Sequence, residues 1–366
     1  MNYIDLVVLF GTLLFIVAYG VWKTRGQKDM ESYLRGGSMK WSTIGLSVMA
    51  TQASAITFIS TPGQGYESGM GFVQNYFGLP IALLIVSVVF IPIYYKLHVY
   101  TAYEYLESRF DLKTRALGAF LFLIQRGLAA GITIYAPAII LSSILDWNLN
   151  LTILITGILV VIYTVSGGTK AVSITQKQQM AVIMAGMFFA FFMLIGYISD
   201  HVSFLDAFDI AAVLSKTQSI DFDLNFEKRY TFWSGITGGL FLALSYFGTD
   251  QSQVQRYLGG KDVRASRMGL MFNAILKIPM QYFILFTGVM MYVFYIFYTP
   301  PVHFKEQSLK MLEENGKTTE LAQLQKDYRQ LVDERRRAAL EFVESGDGAE
   351  LLRIDEASRA VRDQTK

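Results

Sequence analysis

The chain has 366 residues, 52% of them hydrophobic and 14% aromatic, with a net charge of +2 and no cysteine. Without cysteine there are no disulfides and no thiolate metal sites. The mean hydropathy of +0.35 averages over a sharp break: long apolar runs continue to about Tyr298, and dense charge follows Pro300–Pro301.

Apolar runs of about 20 residues read as membrane spans. Eight are expected: Ile4–Trp22, Trp41–Ser60, Phe72–Tyr95, Ala116–Leu145, Leu151–Val165, Gln178–Ile198, Phe232–Gln251 and Met268–Tyr298. The first has no basic residue before it and no A-x-A site after it, so it reads as an uncleaved span rather than a signal peptide.

The second span and the segment after it, Gly45–Gly71, carry Ser47, Thr51, Gln52, Ser54, Thr57, Ser60 and Thr61, with no charge before Glu67. Small and hydroxyl residues let backbones approach closely and satisfy backbone groups where a helix unwinds. The stretch is therefore either a helix-packing seam or a broken helix whose carbonyls coordinate Na+.

Basic residues set the orientation. Lys23, Arg25, Lys28, Arg35 and Lys40 lie in the first loop, Lys96, Arg109, Lys113 and Arg115 in the third, Lys170 and Lys177 in the fifth. Arg256, Lys261, Arg264 and Arg267 lie in the seventh, whereas the second and fourth loops have none. Positive loops face the cytoplasm, which puts the N-terminus and everything after Tyr298 outside.

The fifth loop contains Ser166-Gly167-Gly168-Thr169, read as a flexible turn because Lys170 lacks P-loop spacing. His98, His201 and His303 are scattered over different loops, so no metal site is expected among them. No HExxH or GxSxG motif occurs, which argues against an enzyme.

The tail, 305–366, has Leu321, Leu324, Tyr328 and Leu331 at helical spacing and candidate i,i+4 pairs Glu306–Lys310, Asp333–Arg337 and Asp355–Arg359. Gly346-Asp347-Gly348 predicts a break into a helical hairpin. Arg335–Arg337 reads as a solvated face rather than a nucleic-acid site, since acids surround it. The division expected is 1–300 in the membrane and 301–366 as a charged extracytoplasmic hairpin.

Charges inside spans are costly and mark function by default. Arg126 lies about 16 Å past Arg115, and Lys277 about 15 Å past Arg267, at 1.5 Å per residue. Asp250 in the preceding span is within a lysine's reach, so an Asp250–Lys277 pair that locks two helices is one reading of Lys277, and a functional cation is the other. Arg126 has no acid in its own span. It would then hold a substrate carboxylate, bond to backbone carbonyls, or snorkel toward the cytoplasm.

The order of SYLRGGSMKWSTIGLSVMATQASAITFIS, GQGYESG, YTAYEYLESRF, VSGGTKAVSITQKQQ and YFGTDQSQVQRYLGGKD resembles the sodium/solute symporter family, which includes bacterial sodium–sugar and sodium–sialic acid symporters. The resemblance implies an all-α, polytopic, inverted repeat of five plus five helices after one extra span, with Trp41–Ile198 supplying the first repeat. It implies a Na+ site at the backbone carbonyls of Ala50 and Ala53. Substrate positions fall on Gln52, Ser54 and Thr57, on Asn75 and Tyr76 of the second core helix, on the inner gate Tyr246, and on Lys277. Arg126 lies about one helical turn from the arginine that holds a carboxylate in the sialic acid branch. Tyr76 stands where the sugar branch has glutamate, and Gln176 where the family has an aspartate near an auxiliary sodium site. The hydroxyls that complete the main sodium site are expected on a later helix, beyond Lys366.

The reading is a Na+-coupled symporter of the inner membrane, importing a small organic solute by alternating access and partnered by solute, Na+ and lipid, with no nucleic acid. A sialic or other sugar acid is one candidate solute and a neutral sugar the alternative. A membrane sensor with a transporter-like half is the competing class. A reading frame that continues into further apolar spans favours transport.

Overall fold

The second apolar run does not form one rod. In the computed structural model, which describes residues 3–24, 39–54, 56–145, 147–225, 227–301 and 318–363, it is split into pieces. After α1 (Tyr3–Thr24), α2 (Trp41–Gln52) ends at Ala53, whose ψ of 73° leaves the helical region. The chain resumes as a π-helical turn, Ile56–Ser60, and as α3, Thr61–Ser68. A 3₁₀ segment, Gly69–Tyr76, leads into α4 (Leu79–Ile85), a π turn (Val86–Phe90) and α5 (Ile91–Lys96). Pro80 enters at the start of α4, where a missing N–H costs little, and Pro92 follows directly on the π turn, where the helical hydrogen-bond pattern is already interrupted.

The remaining helices are α6 (Glu104–Arg109), α7 (Leu112–Leu145), α8 (Leu149–Ser199), α9 (Phe204–Val213), α10 (Phe232–Gly248), α11 (Gln251–Leu258), α12 (Val263–Phe297), α13 (Thr318–Ser345) and α14 (Ala349–Asp363). Among the described residues four helical stretches are long and apolar enough to cross a membrane: Thr57–Lys96, Leu112–Ser143, Thr175–Ser199 and Val263–Phe297. The expected turn at Ser166–Thr169 is absent, because α8 runs unbroken for 51 residues. Two adjacent glycines cost a helix about 1 kcal/mol each, and without proline that is too little to end one. The first-loop cations Arg25, Lys28 and Arg35 and the pair Glu306–Lys310 lie outside the described residues.

The chain forms two compact units: Met1–Thr61, Val73–Met187 and Ile220–Tyr282 make the first, and Pro62–Phe72, Phe188–Ser219 and Phe283–Lys366 the second. The core of the first gathers Ile44, Val48, Leu83, Ile91, Phe247, Val254, Tyr257 and Leu270. Helix ends inside it are satisfied by tyrosines. Tyr257 donates to the Phe247 carbonyl at 3.0 Å and Tyr94 to the Gly248 carbonyl at 2.6 Å, both at the C-terminus of α10. Met39 and Gly260 form an isolated parallel bridge.

In the second unit α13 and α14 pack as a hairpin, with Tyr328 and Val332 buried together and Gly346 at φ +77° in the turn. The arginine run is not uniformly solvated. Arg335 is buried, 3.2 Å from the equally buried Asp355 and 2.9 Å from the Tyr295 carbonyl. Asp355 also takes Arg359 at 2.7 Å and the Tyr292 hydroxyl. Arg337 meets the carbonyl of Asp333 rather than its carboxylate. Arg362 reaches Glu67 at 2.8 Å and the Tyr66 hydroxyl at 3.2 Å. Lys216 donates to the Tyr66 and Glu67 carbonyls at 2.7 Å each, with its ammonium 4.2 Å from the Tyr292 ring centre. The carbonyls and ring favour the ammonium; burial, followed by the charge of Arg359, opposes it and pushes Lys216 down to about 7.

Candidate solute and ion site

The break after α2 is where backbone oxygens are released. The Ala53 N–H still bonds back to the Met49 and Ala50 carbonyls, at 3.0 and 3.1 Å. Beyond it, the Thr57 hydroxyl takes the Gln52 carbonyl at 3.0 Å, and the Thr57 and Phe58 amides share the Ser54 carbonyl. Among the described residues no donor meets the Ala53 carbonyl, which lies at the negative end of the α2 dipole. A hard monovalent cation wants oxygens of this kind, so the Ala53 carbonyl fits the group that the motif implies, whereas the Ala50 carbonyl already accepts the Ala53 N–H and would offer only its second lone pair. Thr57 is spent on holding the break, and Ser54 closes the same turn.

A cavity of about 330 Å³ lies in the first unit, lined by Gln52, Asn75, Tyr76, Leu79, Gly239, Leu242, Ala243, Tyr246, Phe247 and Lys277. It brings together five of the expected substrate positions: Gln52, Asn75, Tyr76, Tyr246 and Lys277. Ser54, Thr57 and Arg126 are not among its walls. Lys277 is 1% exposed and stands 5.3 Å from the centre of the Tyr76 ring. No carboxylate among the described residues is within ion-pair distance of it.

The expected Asp250–Lys277 pair is not formed. Asp250 instead receives Arg126 at 2.5 Å, and the same guanidinium reaches the Ser252 hydroxyl at 2.5 Å. Asp250 begins α11, where it accepts the Ser252 N–H at 2.9 Å as an N-cap. The cap fixes the carboxylate at the helix start, a place that arginine reaches from α7. Arg126 also lies 5.7 Å from the Tyr246 ring centre, so it braces the cavity wall from behind.

A third polar cluster joins α2 to α8. Ser47 donates to the Gln176 side-chain oxygen at 2.8 Å and to Ser173 at 3.2 Å, and Gln176 donates to Thr51 at 3.3 Å. Among the described residues, Gln176 is held by the neutral partners Ser47 and Thr51.

Two features of the site were missed by the motif reading. Gln253, fully buried, donates to the Tyr246 hydroxyl at 2.7 Å and so sets the ring. The other is the Gly235-x-x-x-Gly239 pair on α10. A Cβ on Gly235 would stand 2.0 Å from the Gln74 carbonyl oxygen, and one on Gly239 2.6 Å from that of Asn75. Small residues four apart let two backbones touch, and that spacing is visible in the sequence.

A broken helix beside a largely apolar cavity that carries a few polar side chains, on a helical frame with membrane-length apolar segments, fits a secondary-transporter fold. The chain belongs to the sodium:solute symporter family, whose model matches residues 32–322. It is 34% identical over 285 residues to the sodium-coupled monocarboxylate transporter 1 of Xenopus laevis, covering 73% of this chain and 43% of that protein. The sodium/iodide cotransporter of Homo sapiens is 30% identical over 290 residues, covering 77% of this chain and 44% of that one. The chain thus spans under half the length of these relatives. Its fold matches a solved Na+-coupled sialic acid symporter in a substrate-bound outward-open state, with TM-score 0.76 and 24% identity, over 100% of this chain and 70% of that one.

Proposed function

We propose that this chain carries the solute-binding half of a Na+-coupled importer of small monovalent anions, with a monocarboxylate as the preferred solute. The observation that carries this reading is the charge arrangement. Arg126 is neutralised by Asp250, whereas Lys277 is buried on a cavity wall with no acid beside it among the described residues. A buried ammonium costs several kcal/mol unless an anion joins it. The two relatives described above are named for monocarboxylate and for iodide, both monovalent anions, which supports the same choice.

In this reading Lys277 supplies the counter-charge, and Gln52 and Asn75 supply hydrogen bonds. Tyr76 and Tyr246 shape the cavity against the apolar part of the solute. Arg126 is a positioning residue that holds Asp250 and backs Tyr246. Ser54 and Thr57 keep the helix open. Na+, held by Ala50 and Ala53 with ligands from elsewhere, supplies positive charge beside the broken helix when bound. Residues 1–300 cross the inner membrane, and the N-terminus and the 301–366 hairpin lie outside the cytoplasm. The neutral-sugar alternative leaves Lys277 without a partner.

The test is calorimetric titration of the chain in nanodiscs with propanoate, propanamide and glucose, with and without Na+. Propanoate is expected to bind about 10- to 150-fold tighter than its amide, the worth of one charge-assisted hydrogen bond. Equal binding of acid and amide would refute the anion reading.

A further inference from the structure

Lys277 has two polar neighbours on its own helix. Asn273 and Gln281 lie four residues before and after it, one turn away on each side. All three are buried, Asn273 and Gln281 at 0% exposure. Among the described residues, both side-chain polar atoms of both amides are without a hydrogen-bond partner. Two hydroxyls on α12 are satisfied by contrast: Ser266 donates to the Tyr257 carbonyl at 2.5 Å and Thr287 to the Phe283 carbonyl at 2.9 Å. Pro279, between Lys277 and Gln281, removes one more backbone donor from the same stretch.

Four orphaned amide atoms along about 12 Å of helix are an expensive arrangement. Each buried polar group left unbonded costs about 1–3 kcal/mol, and leucine or methionine would fill the space without that cost. An amide also offers a carbonyl to water and an NH₂ donor to an anion.

We propose that Asn273, Lys277 and Gln281 form a wetted polar track along α12, on which a small anion moves to and from its stop at Lys277. This rests on the reading of Lys277 as the anion's counter-charge. The amides give the solute donors one helical turn to either side, so its charge stays solvated as it moves.

The chain contains no cysteine, so single thiols report cleanly. Cysteines are placed one at a time at Asn273, Lys277 and Gln281, with Ala265→Cys and Val254→Cys as buried apolar controls. Each variant, in liposomes, is exposed to the anionic reagent 2-sulfonatoethyl methanethiosulfonate. The track predicts that all three stripe positions react at least about tenfold faster than the controls, since thiol reactivity follows access. Silence at either amide position with reaction at Lys277→Cys overturns the track and leaves the anion site standing. Silence at all three overturns both.

A second variant covers any failure of the cysteine forms to fold. In a dry interior, Asn273→Leu combined with Gln281→Met removes orphaned amides and raises the melting temperature. The track predicts an unchanged or lower melting temperature, and a rise overturns it.

Discussion

Arg126 on α7 and Asp250 at the start of α11 are joined at 2.5 Å, although 124 positions separate them in the chain. The pair decides which cation of the site remains available. Asp250 is 7% exposed and Arg126 about one-third exposed, so the pair is stronger than a surface bridge and weaker than a fully buried one. A double-mutant cycle with Arg126→Met and Asp250→Asn is expected to give a coupling energy of about 1–3 kcal/mol by thermal unfolding in detergent. Additive effects would show that the contact does not link α7 to α11.

The glycines of α10 make a matched pair of substitutions. Gly235→Ala places a methyl 2.0 Å from the Gln74 carbonyl oxygen, which forces two backbones apart. Gly238→Ala meets nothing within 4 Å. The first is expected to lower the melting temperature and the second to leave it unchanged or raise it slightly, alanine being the better helix former. Equal effects would mean that the close approach of α10 to residues 74–78 is not part of the stable packing.

How much of this was legible in the sequence follows from what each signal depends on. Broken-helix composition is local, so a break within Gly45–Gly71 was one of two readings of its polar residues; the stop at Gln52 and the restart at Ile56 decide for it, and their positions were not read. Motif order carried the family. The partner of Asp250 was not local: a lysine's reach from the next span suggested Lys277 as one reading, whereas an arginine on a distant helix arrives at the N-cap instead. Arg335 was misread for a similar reason, since acids nearby in sequence hid its burial against Asp355 and the Tyr295 carbonyl. The glycine pair at Gly235 and Gly239 was readable by spacing and was overlooked.

Lys216 gives the second unit a pH dependence. Its pKa falls from 10.5 to about 7 in the folded chain, so between those values the unfolded chain binds more protons. Stability contributed by this group therefore rises as pH goes from 7 toward 10.5 and is lost in the opposite direction. The melting temperature of the unit is expected to climb between pH 7 and about 9, the part of that window easiest to measure. Lys216→Met should flatten the climb. An identical slope in that variant would assign the dependence to other groups.

Asp355 and Glu350 contrast a buried ionic centre with an exposed pair. Asp355 is 2% exposed and gathers Arg335, Arg359 and the Tyr292 hydroxyl. Asp355→Ala leaves buried cations uncompensated and is expected to cost about 3–5 kcal/mol, read as rapid proteolysis of α13 and α14. Arg353→Ala removes an exposed i,i+3 partner of Glu350, screened by solvent, and is expected to leave proteolysis unchanged. Comparable proteolysis of the two variants would contradict the buried cluster.

The most direct test of the charge arrangement is titration of Lys277→Met with propanoate at saturating Na+, alongside its melting temperature. Lys277→Met should leave the melting temperature unchanged or lower it, because an ammonium on the wetted track is solvated and an apolar methionine in its place is not. It should also weaken propanoate binding by about 10- to 150-fold, while propanamide binding stays as it was. A Lys277→Met variant that binds propanoate as tightly as the unsubstituted chain would contradict the account.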